Sequence, residues 1–459
     1  YPVADDVRLR DLPSVRRLPD DEKDHLQAEM GELLVLLASA TARKADGEPG
    51  GASPRSNVEE ALRMNRLAEA CYAAGQAPRS LWVQRAKLEA LLGHDDEAAR
   101  LRERADAVPV NGPWDEYQLA RVQADDGRLA DAAERLKAVA ARQPDNFAVQ
   151  FLLGNCCLDG FIDRLGQEAD AVGCYSACIA LRPDFHPAYA NRGLVRLHRG
   201  QYAEAEADLS RAVELRPDRA DYLLHRAEAR EGLRHDQDAL DDLNAAEELG
   251  SKAPLLYYLR AAAQQRLGDD VAARRDLDHL LRQTPADEDG FVARGVARAS
   301  DGDTEGALKD FTEAVKLNPN SAGGLQDQAS ILADRLGRNA EALAPLDRLL
   351  GLYPDFARAR GARAVVRARL GRRDDALDDL NKARQLSPDD GTVLCQAAMV
   401  HAILGRDREA DRAEAFRLLC QALQKGCGWD ALGDADLDSL RNDPRFGELA
   451  HTAGLLQRP

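Results

Sequence analysis

The chain has 459 residues, and its 62 Lys and Arg against 79 Asp and Glu give a formal net charge of −17 at pH 7. This acidic balance disfavours nucleic acid as a partner, because binding to phosphates needs clustered Lys and Arg side chains. The sequence contains no run of 18 apolar residues and no signal peptide, so it predicts no membrane insertion by this segment. Because it opens at Tyr1 rather than at a methionine, we expect a piece of a longer protein.

The first 75 residues predict a tail followed by two helices with an irregular connection. Residues 1–20 are polar and interrupted by prolines, which is typical of an N-terminal tail. Apolar residues then follow a helical stripe from Asp21 to Arg43. Residues 44–56 are rich in Gly, Pro and Ser and predict a mobile insert. A second helix is expected from Asn57, as its N-cap, to Ala74. We therefore predict that residues 21–75 form a degenerate first unit of the repeat that follows.

From residue 79 onwards the sequence repeats with a period of 34 residues. Prolines mark the ends of successive units at Pro183, Pro217, Pro285, Pro319 and Pro354. Their spacings are 34, 68, 34 and 35, so one unit carries an extra residue. A fixed period in this range indicates a solenoid, in which each repeat packs on its neighbours. We predict an array of about ten repeats over residues 79–427 and a helical cap over residues 430–459.

Each unit contains small residues at fixed places that indicate a pair of antiparallel helices. In the unit from His186 to Pro217, Gly193 is the eighth residue, Gly200 the fifteenth and Ala205 the twentieth. The glycine at the fifteenth place allows the turn between the helices, and the closing proline ends the second helix. Small residues at the other places let the two helices approach closely.

This pattern resembles the tetratricopeptide repeat, whose 34-residue helix-turn-helix unit ends in proline. The resemblance implies an all-α, right-handed superhelical solenoid. The order of segments, from GELLVLLA through DAVGCYSACIALRPDFHPAYANRGL to DLDSLRNDPRF, also resembles the C-terminal repeat region of bacterial serine/threonine protein kinases. The sequence contains no Gly-rich loop, HRD motif or DFG motif of a kinase core. The resemblance therefore implies a non-catalytic scaffold that recruits a substrate or partner of a larger kinase. The repeat region of another enzyme and a stand-alone assembly adaptor remain as alternatives.

An arginine at the seventh place of a unit accompanies an aspartate at the twenty-third place. This joint occurrence predicts an ion pair between the two helices of a unit, and the alternative is a ladder of arginines for an acidic ligand. The pairs are Arg192 with Asp208, Arg226 with Asp242, Arg260 with Asp276, Arg294 with Asp310 and Arg363 with Asp379. Arg85, which faces Leu101, does not follow the rule.

The first helices of such units line a concave groove, and the early units place aromatic and polar residues there. An aromatic face with an arginine has the composition of a binding hot spot. The alternative is that Trp114 and Tyr117 pack on a neighbouring helix or under the N-terminal tail. The resemblance to tetratricopeptide repeat proteins also raises the carboxylate clamp of that family, which needs Asn and Lys in the groove. Asn155 and Asn191 fit it, but Asp221 and His225 occupy the places that need cations. The predicted groove residues are Lys87, Trp114, Tyr117, Gln118, Arg121, Phe151, Asn155 and Asn191.

The eight cysteines indicate neither a disulfide framework nor a metal site. Cys156, Cys157, Cys174 and Cys178 fall in one unit and supply enough thiolates for zinc. Adjacent cysteines on a helix point about 100° apart, however, so buried reduced thiols are the preferred interpretation. We expect no cofactor, and we expect a reducing, cytoplasmic location.

Overall fold

The computed structural model describes residues 15, 17–43, 54–73, 75–159, 168–406, 408–425 and 430–456. All regular secondary structure in these ranges is helical. Most of the predicted tail lies outside the described residues, as does the predicted insert up to residue 53. The chain divides into two compact units, residues 1–156 and 157–459.

Six helices and the start of a seventh form the first unit. They are α1 (Asp20–Arg43), α2 (Pro54–Glu69), α3 (Arg79–Leu91), α4 (Asp95–Ala107), α5 (Gly112–Asp125), α6 (Leu129–Arg142) and α7 (Phe147–Asp159). Helices α1 and α2 pack as a pair, and so do α3 with α4 and α5 with α6. Helix α2 begins at Pro54, before the predicted N-cap Asn57, and it ends at Glu69 rather than at Ala74. Proline suits the first turn because the N–H that it lacks has no partner there in any helix.

The second unit contains the remaining pairs and, after them, the segment that the sequence predicts as a cap. Its helices are α8 (Glu168–Leu181), α9 (His186–His198), α10 (Tyr202–Leu215), α11 (Ala220–Gly232), α12 (Asp236–Glu248), α13 (Pro254–Arg266), α14 (Asp270–Arg282), α15 (Glu288–Ser300), α16 (Thr304–Leu317), α17 (Ala322–Ser330), α18 (Asn339–Leu352), α19 (Ala357–Arg369), α20 (Arg373–Leu386), α21 (Gly391–Leu404), α22 (Glu409–Gln424) and α23 (Pro444–Leu456). From α9 to α22, each odd-numbered helix packs against the even-numbered helix that follows it. Two 3-10 turns, Asp430–Gly433 and Ala435–Leu440, precede α23.

Small residues allow the two helices of a pair to lie close together. A Cβ atom built on Gly193 in α9 would lie 2.8 Å from Cγ of Leu209 in α10. Ala205 in α10 and its equivalents Ala239 and Ala307 in later pairs are at most 1% exposed. The pairs are therefore held by contacts that larger side chains would prevent.

The turn inside each pair requires a left-handed backbone at the fifteenth place of the unit. Gly200, Gly268 and Gly302 have φ values of +68°, +84° and +87° there. In the unit that contains α11 and α12, Arg234 occupies the same place with a φ of +63°. The geometry of the fold therefore imposes this conformation on a residue that does not favour it.

The extra residue between Pro319 and Pro354 is accommodated in the structure as a π turn. Helix α17 continues into residues Ile331–Arg335, and the Leu336 N–H donates to the Ile331 carbonyl at 3.0 Å. That bond spans five residues, so the turn absorbs one additional residue without breaking the helix.

Candidate partner-binding site

The five arginines and five aspartates that the sequence singles out meet in pairs across the two helices of a unit. Arg226 on α11 donates through Nε and Nη2 to the two carboxylate oxygens of Asp242 on α12, at 2.8 and 2.6 Å. The same two-pronged geometry joins the other four pairs: Arg192–Asp208, Arg260–Asp276, Arg294–Asp310 and Arg363–Asp379. All five aspartates are buried. These arginines are held by charge-assisted bonds within the protein, which favours the structural interpretation over an acidic ligand.

A second arginine, four residues after the first, joins four of the five pairs. Arg230 donates through Nη1 to Asp242 at 2.8 Å, and Arg196 does the same to Asp208 at 2.6 Å. Arg298 and Arg367 occupy the equivalent positions beside Asp310 and Asp379. The sequence pattern did not single out these arginines, although their regular spacing of four residues after the first arginine was a usable signal.

Two seventh-place residues that have no aspartate at the twenty-third place bond to the preceding helix pair instead. Arg85 on α3 donates to the Asn65 side chain at 2.7 Å and to Glu69 at 2.6 Å, both on α2. Gln328, which replaces the arginine on α17, donates through Nε2 to Oγ1 of Thr312 on α16 at 3.0 Å. In these two units the seventh-place side chain therefore links neighbouring helix pairs although the aspartate is missing.

The predicted groove residues of α5 are less exposed than their sequence positions suggest. Gln118 is only 1% exposed, so it lies inside the unit rather than on a binding surface. Trp114 is half-buried and packs against the apolar cluster that contains Leu34 and Val35 of α1. Burial raises the pKa of Tyr117 and lowers the pKa of Arg121. Whether this face of α5 is exposed or packed depends on where helix α1 lies. Sequence patterns do not predict the location of α1.

Helix α1 contacts the same face of α3 and α5. Nε2 of Gln84 on α3 donates to the Val35 carbonyl at 2.8 Å and to Oγ of Ser39 at 2.6 Å. Nη2 of Arg121 on α5 also donates to Ser39 Oγ, at 2.5 Å. At the end of α1, Arg43 binds both carboxylate oxygens of Asp125 at 2.7 and 2.8 Å. Part of the predicted groove face is therefore occupied by the protein's own first helix.

The remaining predicted groove residues have polar or aromatic neighbours. Nζ of Lys87 on α3 lies 2.5 Å from a carboxylate oxygen of Asp126. The Phe151 ring stacks with Phe147, with ring centroids 6.1 Å apart. Asn155 lies on the same helix and is partly exposed. In the second unit, Asn191 donates to the Tyr175 hydroxyl at 3.3 Å.

A cavity of about 440 Å³ lies beside Trp114 in the first unit. Its walls include the Trp114 and Tyr72 rings, the Glu32 carboxyl, Asn111, Pro78 and Pro109. Burial, together with the nearby charge of Glu29, raises the pKa of Glu32. The cavity thus offers aromatic surface next to a carboxyl group and an amide, a combination suited to a side chain of a partner protein.

Seven cysteines lie in the described part of the chain, and all seven are free thiols. Cys156, Cys157, Cys174 and Cys178 are buried, and burial raises the pKa of Cys178 to about 11. Cys427 lies outside the described residues. The described residues contain no group of three or more His, Cys, Asp or Glu side chains suited to a metal ion. The expected absence of bound metal stays a prediction.

In the ranges that the structure describes, no helix combines the length and the apolar character needed to cross a bilayer.

Comparison with known proteins assigns the repeats. Residues 117–172, 163–220, 190–254 and 328–391 match the tetratricopeptide repeat family. No curated protein matches the sequence at a significant level.

Several solved structures match the chain at low sequence identity. A tetratricopeptide repeat protein from Parabacteroides merdae shares 17% identity at a TM-score of 0.45, over 55% of this chain and 98% of its own. A monomeric mutant of IFIT1 with Gppp-AAAA shares 14% identity at a TM-score of 0.47, over 88% of this chain and 95% of its own. MamA shares 15% identity at a TM-score of 0.33, over 40% of this chain and 96% of its own.

Proposed function

Because the chain contains tetratricopeptide repeats, we propose that it is a non-catalytic scaffold that binds a partner protein. The observation that carries this proposal is the cavity beside Trp114, where aromatic rings, a carboxyl group and an amide line about 440 Å³ of space. Aromatic anchors in pockets supply much of the binding energy at protein interfaces. The small residues and the ion pairs at fixed places of the repeat are not free to bind a partner, since they are buried and hold the helix pairs together.

The proposed partner face extends from this cavity along the inner helices of the first unit. It comprises Lys87, Trp114, Tyr117 and Arg121, with Phe151 and Asn155 on α7. Arg121 would exchange its bond to Ser39 of α1 for a bond to the partner. Gln118 is left out because it is buried. The partner face would bind an extended segment of a partner, with one side chain in the cavity and polar groups bonded along α3 and α5.

Replacing Trp114 with alanine tests this face. The natural partner is first identified by crosslinking to the wild-type chain, and its affinity is then measured by calorimetric titration. We expect Trp114→Ala to weaken binding by about 2 kcal/mol or more, since truncation of an anchor removes its buried contacts. Leu91→Ala, at a side chain that is 61% exposed on α3, serves as a control for surface truncation. Unchanged affinity in a folded Trp114→Ala variant would contradict the proposed face.

We further propose that the chain is the recruiting region of a larger bacterial serine/threonine kinase that acts in the cytoplasm. The support is the order of its segments, from the α1 sequence GELLVLLA to the cap sequence DLDSLRNDPRF. The gene upstream of the codon for Tyr1 provides the test. A kinase core with its Gly-rich loop, HRD and DFG motifs would support this proposal. A different catalytic domain, or none, would instead favour the alternatives of another repeat-bearing enzyme or a stand-alone adaptor.

A further inference from the structure

A cavity lined by four arginines lies in the second unit, between the turn that joins α19 to α20 and the turn that joins α21 to α22. Its volume is about 450 Å³. Arg369, Arg373, Arg406 and Arg408 line it, together with Asp436 from the cap and the apolar side chain of Ile403. Such a concentration of cations is unexpected in a chain whose net charge is −17.

Two of the arginines are fixed by carboxylates. Arg369 binds Asp436 through Nη2 at 2.7 Å and Asp334 through Nη1 at 2.7 Å. Nη2 of Arg373 donates to Asp411 at 2.9 Å. These bonds neutralise both guanidinium groups and hold them in the wall of the cavity, so they shape the site rather than supply its charge.

The other two arginines carry the charge that remains. Arg406 and Arg408 are exposed, and neither side chain has a hydrogen bond or an ion pair within the described residues. Among the lining residues Asp436 is the single acidic one, and Arg369 already binds it. Among the described residues, no carboxylate neutralises these two positive charges of the cavity.

We propose that this arginine pocket binds a phosphate monoester carried by a side chain of a partner protein. A phosphate monoester has about two negative charges and three acceptor oxygens at neutral pH, which matches two guanidinium groups with several donors each. A carboxylate would neutralise only one of them. The volume exceeds that of a phosphate group, so the attached side chain fits against the apolar wall at Ile403.

The charge of the rest of the chain selects among the sources of phosphate. A nucleic acid or an anionic membrane would bring many negative charges against a protein of net charge −17, and repulsion would oppose binding. A single phosphorylated side chain brings one such group. The arginine pocket shares no residue with the partner face around Trp114, so this proposal can fail or succeed independently of it.

The test is a calorimetric titration of the full chain with three probes: a short phosphoserine peptide, the same peptide without phosphate, and inorganic phosphate. We expect the phosphopeptide to bind and its unphosphorylated form not to bind. The double variant R406A/R408A should weaken phosphopeptide binding about tenfold or more, because it removes both charged donors. A circular-dichroism melt would show that the variant is folded, as expected for two exposed side chains.

The matched control is R275A/R348A. It removes the same two charges from exposed arginines that have no side-chain partner within the described residues and that do not line the pocket. We expect this control to bind the phosphopeptide within about twofold of the wild type, since distant surface charges are largely screened. Equal weakening by both double variants would overturn the proposal, and so would a wild-type chain that binds no phosphorylated probe. Equal affinity for inorganic phosphate and for the phosphopeptide would assign the pocket to free phosphate and overturn the assignment to a protein partner.

Discussion

At the scale of single residues, the buried aspartates on the second helix of each pair carry a large desolvation cost. Their arginine partners offset that cost. A carboxylate removed from water loses its hydration, and only excellent geometry offsets that loss. Asp310 is 1% exposed, accepts two hydrogen bonds from Arg294 and forms an ion pair with Arg298. The pairing leaves the arginines with little capacity for an external ligand.

Removing one of these aspartates should therefore be strongly destabilising. Asp310→Ala would leave two guanidinium groups without their carboxylate, and we expect a loss of about 3 kcal/mol in the free energy of unfolding. The comparison is Asp378→Ala, which breaks an ion pair with Lys382 whose partners are 61% and 51% exposed. That change should leave the free energy of unfolding almost unchanged, because solvent screens an exposed pair. Urea denaturation followed by circular dichroism measures both, and similar losses would show that burial does not strengthen the pairs.

Asp327 on α17 is a half-buried carboxyl group whose environment is unfavourable for its charge. Burial raises the pKa of Asp327 to about 6, against an ordinary value of 3.8. The folded state then holds the proton more tightly than the unfolded chain does. The ionised carboxylate consequently opposes folding above pH 6, and this opposition fades as the pH falls from about 6 towards 4.

Asp327→Asn should therefore stabilise the protein in a way that depends on pH. At pH 8 we expect a gain on the order of 2 kcal/mol in the free energy of unfolding, because the substitution removes the buried charge. The gain should shrink by roughly half at pH 5, where the wild-type carboxyl is mostly protonated in the folded state. Asp184→Asn, at an exposed loop residue, provides the control. If the gain in the free energy of unfolding is the same at both pH values, then packing and not ionisation causes the difference between aspartate and asparagine at position 327.

At the scale of helices, glycine has opposite roles at two kinds of helical position. A Cβ atom on Gly295 in α15 would lie 2.6 Å from the ring of Phe311, which is 3% exposed. A Cβ atom on Gly173 in α8 would have no neighbour within 4 Å among the described residues. Alanine normally favours a helix over glycine because it loses less backbone entropy on folding. The contact with Phe311 reverses that preference at Gly295.

The two glycine-to-alanine substitutions should thus change stability in opposite directions. Gly295→Ala should lower the free energy of unfolding by about 1–3 kcal/mol, since overpacking forces the Phe311 ring or the helix to move. Gly173→Ala should raise it by about 0.5–1 kcal/mol. Thermal and urea unfolding of both variants measure the difference. A gain at both positions would show that the α15–α16 interface tolerates a methyl group.

The sequence predicts the helices and turns of this fold better than it predicts how neighbouring helices act on them. The eighth-place glycine and the fifteenth-place turn follow from local sterics, which a repeating pattern displays directly. Arg234 shows a limit of that pattern, because its left-handed backbone is imposed by neighbouring helices and not by its own preference. The π turn at Ile331–Arg335 is a second limit, since a spacing of 35 shows that a residue is added but not where the helix absorbs it.

The candidate site was harder to predict because its exposure depends on contacts between distant segments. The helical spacing of Trp114, Tyr117 and Arg121 places them on one face of α5, but nothing in that spacing shows that α1 lies against it. The contact of Arg121 with Ser39 joins residues 82 positions apart. The arginine pocket has the same origin, since Asp436 and Arg369 are separated by 67 positions.

At the scale of the whole molecule, a repeat array is stabilised mainly by contacts between neighbouring units. In the second unit the last pair, α21 and α22, has the cap as its neighbour. Leu437 and Leu440 of the cap are at most 2% exposed and belong to the same apolar cluster as Leu418 of α22. Asp436 adds a bond from the cap to Arg369 of α19. The cap therefore supplies the contacts that a further repeat would otherwise provide.

Leu437→Ala should weaken the end of the array more than its middle. Truncating this fully buried leucine removes apolar contacts and leaves a cavity, and such changes cost about 2–5 kcal/mol in protein cores. Because coupling runs from neighbour to neighbour, we expect hydrogen exchange of backbone amides to accelerate in α21 and α22 while α9 and α10 keep their protection. Leu386→Ala, at a side chain that is 41% exposed at the end of α20, should change exchange little. Equal acceleration in α9 and α22 would show instead that the second unit opens cooperatively as a whole. The cap would then stabilise all of the second unit and not only the neighbouring helices α21 and α22.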